Sequence, residues 1–367
     1  MREPKVLVVT ATALVRDNAL WIECARRFEN MRIAVPDDAT IGDWPTGVAV
    51  KQLPTALGKG TSRFWMRGLN STVRDWHPDL VHVCSEPWSP TSQMIAGSGT
   101  PFVLHSAESV IASAPRLSRI RRIGMRRVLN LADGYVSWGR TGMAAMRDAG
   151  LPDSTKSLVM SAAPPDPRLF PRQLAREGEP PLRIAFVGRL VEQKGLEDLL
   201  LAVAMPQLTE RSEVRVLGAG PERPRFEKLA EKYGIPVTFL GPGDERSVLD
   251  LLAWSDVLVV PSRSTVRIQE QWGRVIVEGM LVGRAVISSD SGECPHLTGD
   301  PEMIFEEGDS VGLAAILNAL STDTELLARK QHEAWLRAEQ FSPSAMAQDI
   351  HHFWCEVLGS KDSAAVE

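Results

Sequence analysis

The chain has 367 residues, 44% hydrophobic and 24% charged, with a formal net charge of -5 and a pI near 5.9. That length suits two domains, each able to bury its own core, and the acidic balance argues against an electrostatic nucleic-acid binder. Cys24, Cys84, Cys294 and Cys355 have no paired spacing, which fits reduced thiols better than a disulfide framework or a zinc site.

The N-terminus runs directly into Lys5-Val6-Leu7-Val8-Val9-Thr10, too short for a signal-peptide core, and no apolar run approaches membrane-spanning length. The expectation is a soluble, cytoplasmic protein. Short apolar runs then alternate with longer amphipathic segments: Val6 to Val9, Ile33 to Val35, Val48 to Leu53, Leu80 to Val83, Phe102 to Leu104 and Tyr135 to Ser137. This pattern predicts strands separated by helices in a mainly parallel sheet. Trp88 and Trp138 fall near strand ends, where stacking on an acceptor ring is one reading and core packing the other. Arg116, Arg119, Arg121, Arg122, Arg126 and Arg127 form a basic segment in which Arg127 falls close to Ile120 and Ile123 on a helical wheel, so it reads as a solvated helix more than a membrane face. Adjacent His351 and His352 diverge by about 100° on a helix and make a poor metal pair.

Ala162-Ala163-Pro164-Pro165-Asp166-Pro167, Phe170-Pro171 and Pro180-Pro181 continue neither a helix nor a central strand. They divide the chain into a domain at 1–165, a Pro-rich linker at 166–181, a second domain at 182–340 and a closing helical segment at 341–367 that packs back on the first domain. In the second domain the alternation restarts with Arg183 to Val187, Val214 to Leu217, Val237 to Leu240, Val257 to Val260 and Ala285 to Ile287. Two doubly wound α/β domains facing each other across a cleft follow, with ligands at the carboxyl ends of the strands.

The segment Glu270-Gln271-Trp272-Gly273-Arg274-Val275-Ile276-Val277-Glu278 sets two carboxylates eight positions apart, with a glycine at a loop-to-helix junction. Val275, Ile276, Met280 and Leu281 recur at helical spacing, so the first amides of a helix are free there, an arrangement that attracts phosphate. Flanking glutamates accept hydrogen bonds from neutral hydroxyls, and the combination fits a sugar nucleotide. Earlier in the domain, Gly188 allows a tight turn at a strand end, and Arg189 and Lys194 occupy the following loop, where a diphosphate needs cations. Gly218-Ala219-Gly220-Pro221-Glu222-Arg223 half matches a dinucleotide fingerprint. Its third glycine is replaced by Arg223, and the first strand is followed by Thr10-Ala11-Thr12-Ala13, so a dehydrogenase ranks below a transferase.

Gly188-Arg189-Leu190, Gln193-Lys194-Gly195, Gly218-Ala219-Gly220-Pro221, Pro261-Ser262, the Glu270 to Glu278 segment and Ala285-Val286-Ile287 leading to Asp290-Ser291-Gly292-Glu293 occur in this order. Together they resemble the C-terminal domain of retaining glycosyltransferases of family 4, which have the GT-B fold. The resemblance covers the second domain nearly continuously and the first more thinly, through Pro78-Asp79-Leu80-Val81-His82 and Glu86-Pro87. It implies that Arg189 and Lys194 hold the donor's diphosphate with the amides of Gly273, Arg274 and Val275. It further implies that Glu278 binds the donor ribose and that Glu270 acts near the transferred sugar.

In the first domain the family's glycine-rich loop is replaced by Thr10 to Asn18, where Arg16 and Asp17 take over polar contacts on the acceptor side. The family places a histidine, or in some branches an acidic residue, past the strand Phe102 to Leu104; His105 and Glu108 are the candidates here. The resulting expectation is a retaining enzyme moving a sugar from a UDP or GDP sugar to a soluble small-molecule or glycan-precursor acceptor. No cofactor or metal is expected, since no Asp-any-Asp motif stands at a strand end. Peripheral membrane contact is not favoured. The alternatives are a sugar-nucleotide epimerase and a non-catalytic sugar-nucleotide-binding partner subunit.

Overall fold

The computed structural model describes residues 3–10, 19–37, 49–57, 65–106, 119–160, 165–173, 180–265, 270 and 273–364. Two compact units emerge, one formed by Met1–Pro164 with Pro343–Glu367 and the other by Pro165–Ser342. Each is built on its own parallel sheet.

In the first unit the strands are β1 (Val6–Thr10), β2 (Met31–Pro36), β3 (Ala49–Leu53), β4 (Thr55–Leu57), β5 (Trp65–Met66), β6 (Leu80–Cys84), β7 (Phe102–Ser106), β8 (Gly134–Ser137) and β9 (Lys156–Val159). Seven of them form a sheet in the order β3-β2-β1-β6-β7-β8-β9, and β4 and β5 make a separate antiparallel pair. The central strands β1, β6 and β7 are buried along their whole length, as strands covered by helices on both faces must be. That double burial is why they read as continuous apolar runs. β4, β5 and β9 are too short or too exposed to show such a run.

On one face Leu69, Val73, Ile95, Val128 and Leu129 come from three helices and pack against Leu7, Val9, Val81 and Leu104. The basic segment forms one of these helices, Arg119–Leu131, with Arg122, Arg126, Arg127 and Ile123 exposed. The helix Ala19–Arg27 packs against the closing helix Pro343–Ala364. Trp354 of the closing helix reaches His82 on β6, donating its indole N–H to Nδ1 at 3.0 Å. No single helix among the described residues is long and apolar enough to cross a membrane.

The second unit contains β10 (Leu182–Val187), β11 (Ser212–Leu217), β12 (Val237–Gly241), β13 (Val257–Val260), β14 (Ala285–Ser289) and β15 (Ile304–Phe305), in the order β12-β11-β10-β13-β14-β15. Every neighbouring pair is parallel. The direction in which the chain adds strands reverses between β10 and β13, which makes the space above their carboxyl ends the natural ligand crevice. The corresponding reversal in the first unit lies between β1 and β6.

The segment expected as a linker is partly built into the second unit. Phe170 is buried, Gln173 N–H donates to Val282 O at 3.0 Å, and Arg284 donates to Gln173 O at 2.8 Å. Proline excluded this stretch from regular structure, yet a buried phenylalanine and a buried arginine hold it against the unit that follows.

Candidate active site

The loop after β10 carries Gly188 and Arg189 and turns into the short helix Glu192–Lys194. Gly195 then enters the helix Leu196–Val203 at φ +63°, so tightly against the loop after β13 that a Cβ there would lie 1.6 Å from Pro261 O. Only glycine fits, and its fit sets Lys194 beside the end of β13. Arg263 fixes the same contact from the other side, donating Nε to the buried Asp198 at 2.8 Å. The Gly218 and Gly220 pair has a related purpose: added Cβ atoms would stand 1.8 Å from Gly188 O and 2.2 Å from Leu190 O. These glycines let two loops touch, which explains a half-matched dinucleotide fingerprint without a dinucleotide.

Lys194 Nζ is bonded directly to Glu270 Oε2, and Ser262 Oγ donates to the same oxygen at 2.8 Å. Burial pushes the Glu270 carboxyl up, but the charge and hydrogen bond of Lys194, the Ser262 hydroxyl and the Gly273 amide outweigh it, so the group is held below the usual carboxylate range. Its backbone is fixed as well, because Glu293 N–H donates to Glu270 O at 3.0 Å.

Gly273, at φ +36°, starts the helix Arg274–Val282. One helical turn after Arg274 the second glutamate is almost sealed: Glu278 is 6% exposed, with Arg274 Nε 2.6 Å from its Oε1. Arg274 Nη2 also donates to Glu245 Oε1 at 2.9 Å, tying this helix to the helix Glu245–Trp254. Lys194, Ser262, Glu270, Gly273, Arg274 and Val275 together line a cavity of about 220 Å³ at the β10/β13 reversal. Arg189 is exposed and makes no ion pair among the described residues. A larger cavity, about 540 Å³, lies beside Lys330 and Arg337. Its cations are already committed, Lys330 to Asp300 and Glu302 and Arg337 to the carbonyls of Leu297 and His296, so it offers a ligand little.

In the first unit His105 is buried near the carboxyl end of β7. His105 pairs in register with Cys84 and so lies on the His82 face of the sheet, 2% exposed, with the Trp138 ring 4.4 Å away. Because the Trp354 indole can only donate, His82 Nδ1 accepts, and His82 Nε2–H donates to His105 Nδ1 at 3.0 Å. Burial lowers the pKa of His82 far below its ordinary value, with the neighbouring His105 adding to the effect, and lowers that of His105 to about 3. Burial therefore favours the neutral form of both rings, and the outer nitrogen of His105, Nε2, has no hydrogen-bond partner among the described residues. The potential ligand atoms of His82, Cys84 and His105 lie within 4.8 Å of one another, yet the proton on His82 Nε2 occupies the lone-pair position a metal needs. Trp88 and Trp138 are also buried, which removes them as stacking platforms. Glu108, Arg16 and Asp17 lie outside the described residues.

Ser262, Arg263, Gly292 and Glu293 support the site without having been assigned a role from sequence. The Arg274–Glu278 pair was readable in principle, since four positions on a helix bring side chains together.

A family model described as glycosyl transferases group 1 matches residues 170–335, and one described as a glycosyl transferase 4-like domain matches 16–159. The chain belongs to the group 1, family 4-like glycosyltransferases. The enzyme has the GT-B fold. It is 26% identical over 301 residues to 2-deoxystreptamine N-acetyl-D-glucosaminyltransferase of Streptomyces fradiae, covering 72% of this glycosyltransferase and 69% of that relative. It is 29% identical over 188 residues to D-inositol 3-phosphate glycosyltransferase of Corynebacterium jeikeium, covering 47% of the chain and 43% of the relative, so it spans less than half of that protein. Among solved structures, Anabaena Alr3699/HepE in complex with UDP superposes with a TM-score of 0.70 at 19% identity, over 96% of this chain and 99% of that one. The same Anabaena protein has also been solved with UDP-glucose.

Proposed function

We propose that this glycosyltransferase moves a sugar from a UDP or GDP sugar to a soluble small-molecule or glycan-precursor acceptor, with retention at the anomeric carbon and without a metal ion. The observation that carries the reading is the meeting of Lys194, Glu270 and the start of the helix Arg274–Val282 on one cavity at the β10/β13 reversal. The relatives support it by name: one transfers N-acetylglucosamine to 2-deoxystreptamine, and the Anabaena protein has been seen with UDP-glucose.

In this reading Lys194 and the exposed Arg189 bind the diphosphate with the first amides of the helix. Glu278, ion-paired with Arg274, accepts hydrogen bonds from the ribose hydroxyls. Glu270 accepts from the hydroxyls of the transferred sugar and stabilises positive charge that builds at the anomeric carbon. As the glycosidic bond to the diphosphate breaks, the cations neutralise the charge gained by the departing oxygen. The acceptor hydroxyl approaches on the same face and passes its proton to that oxygen, so no dedicated protein base is required. Orientation supplies the remainder of the rate gain. Arg16 and Asp17 are assigned to the acceptor side, and Glu108 to the reacting sugar.

Slow hydrolysis of the donor tests this without knowledge of the acceptor. An α-linked sugar nucleotide incubated with the enzyme and EDTA should release the α anomer first, as followed by NMR. Release of the β anomer first contradicts retention, and loss of turnover in EDTA that magnesium or manganese restores contradicts metal independence. An isomerised sugar nucleotide in place of free sugar points to an epimerase. Donor binding with no turnover points to a non-catalytic subunit.

A further inference from the structure

Glu270, which lines the cavity, and Glu278, one helical turn beyond Arg274, are each already paired with a cation that lines it. Lys194 is bonded to Glu270, and Arg274 to Glu278 and Glu245. Arg263, on the adjoining loop, is spent on Asp198. Among the described residues Lys194 is the cation bonded to Glu270. The side chains of Lys194 and Glu270 are 28% and 14% exposed, so the pair is only partly screened by water.

We infer that the Lys194–Glu270 ion pair is a counter-ion exchange that makes the cavity distinguish an intact sugar nucleotide from the nucleoside diphosphate left after transfer. This rests on the reading of the cavity as the donor site. A diphosphate obtains the full charge of Lys194 only by drawing it from Glu270, which leaves a largely buried carboxylate facing an anion. An intact donor compensates, because its sugar brings neutral hydroxyls that donate to Glu270 in place of the ammonium. A nucleoside diphosphate brings none, so Lys194 stays divided between two anions and the product is held more weakly. Ser262 keeps its bond to Oε2 throughout and holds the carboxylate in position for the exchange. The pair therefore favours product release as well as donor selection.

Calorimetric titration of UDP, GDP, ADP and TDP into wild type, Glu270→Gln, Lys194→Ala and the double variant tests the inference. Glutamine keeps the shape of the side chain and accepts from Ser262 but does not compete for the ammonium; Glu270→Ala provides the same comparison if the glutamine variant fails to fold. A diphosphate that binds wild type should bind Glu270→Gln about fivefold more tightly, the effect expected when a competing ion pair of about 1 kcal/mol is removed. Lys194→Ala should weaken it, and adding Glu270→Gln to Lys194→Ala should restore nothing. Equal or weaker binding to Glu270→Gln, with Lys194→Ala still impaired, overturns the exchange and leaves the donor-site reading standing. Unchanged affinity in Lys194→Ala, or no diphosphate binding to wild type, overturns the donor-site reading itself.

Discussion

Gly292 lies against the backbone of Glu270, so closely that a Cβ on the glycine would stand 2.2 Å from the Glu270 carbonyl oxygen. The adjacent Glu293 N–H donates to that oxygen at 3.0 Å, and the loop after β14 thereby sets the height of the first glutamate in the cavity. Gly292→Ala should displace Glu270 without touching Lys194 or Glu278. Turnover is expected to fall about tenfold to a hundredfold, as small misplacements of reacting groups do, while nucleoside diphosphate affinity is not weakened. Steady-state kinetics beside a binding titration checks this, and a folded variant with wild-type turnover removes the positioning role.

Lys194→Ala and Arg189→Ala each remove a cation assigned to the leaving diphosphate. Turnover should drop by about 10² to 10³ in Lys194→Ala, the usual effect of losing an electrostatic partner of the transition state. Arg189 is the more exposed of the two, so its loss should matter less. Near-normal rates in a folded Lys194→Ala variant would refute the assignment.

The two glutamates should separate kinetically. Glu278→Ala removes the ribose partner and should raise the donor KM about tenfold or more with a smaller change in kcat. In Glu270→Ala kcat should fall more than the donor KM changes. The opposite pattern means that their roles are exchanged.

Acid should destabilise the first unit through its buried histidines. The folded pKa values of His82 and His105 lie below the ordinary value of 6.5, so below that pH the unfolded chain binds more protons than the folded one. Their contribution is complete above pH 6.5 and is lost as pH falls, at about 1.4 kcal/mol per unit for each histidine. Urea melts at pH 7.5 and 5.5 should differ by roughly 2–3 kcal/mol from these two groups. A stability that is flat over this range rules out two buried neutral rings.

Trp354→Phe keeps an aromatic ring on the closing helix but leaves His82 Nδ1 with no donor from the indole. An unsatisfied buried acceptor costs about 1–3 kcal/mol, and chemical denaturation should show a loss of that size. Glycosyl transfer measured well below the unfolding midpoint should change little, because Trp354 is assigned no part in donor binding.

The sequence carried the strands because most of them are buried on both faces, which leaves a run of Val, Leu and Ile wherever a parallel strand passes. Glu270, Gly273 and Glu278 were legible because their spacing is local and a helix start needs a glycine turn. The burial of His105 was not, since it follows from its register with Cys84 and from a tryptophan more than two hundred residues later in the chain. The hold of Ser262, Gly292 and Glu293 on Glu270 is likewise a meeting of separate loops. The inclusion of the Pro-rich stretch in the second unit depended on which side Phe170 and Gln173 found their partners.

The central claim is that the cavity at the β10/β13 reversal holds the diphosphate of a sugar nucleotide. Thermal unfolding of wild type and Lys194→Ala with UDP, GDP, ADP and TDP, each at about 1 mM in EDTA, about ten to a hundred times a Kd of roughly 10–100 μM, tests it most directly. At least one of the four should raise the melting temperature of the wild type by several degrees and that of Lys194→Ala by little or nothing. No shift with any of them, or an equal shift in both proteins, contradicts the claim.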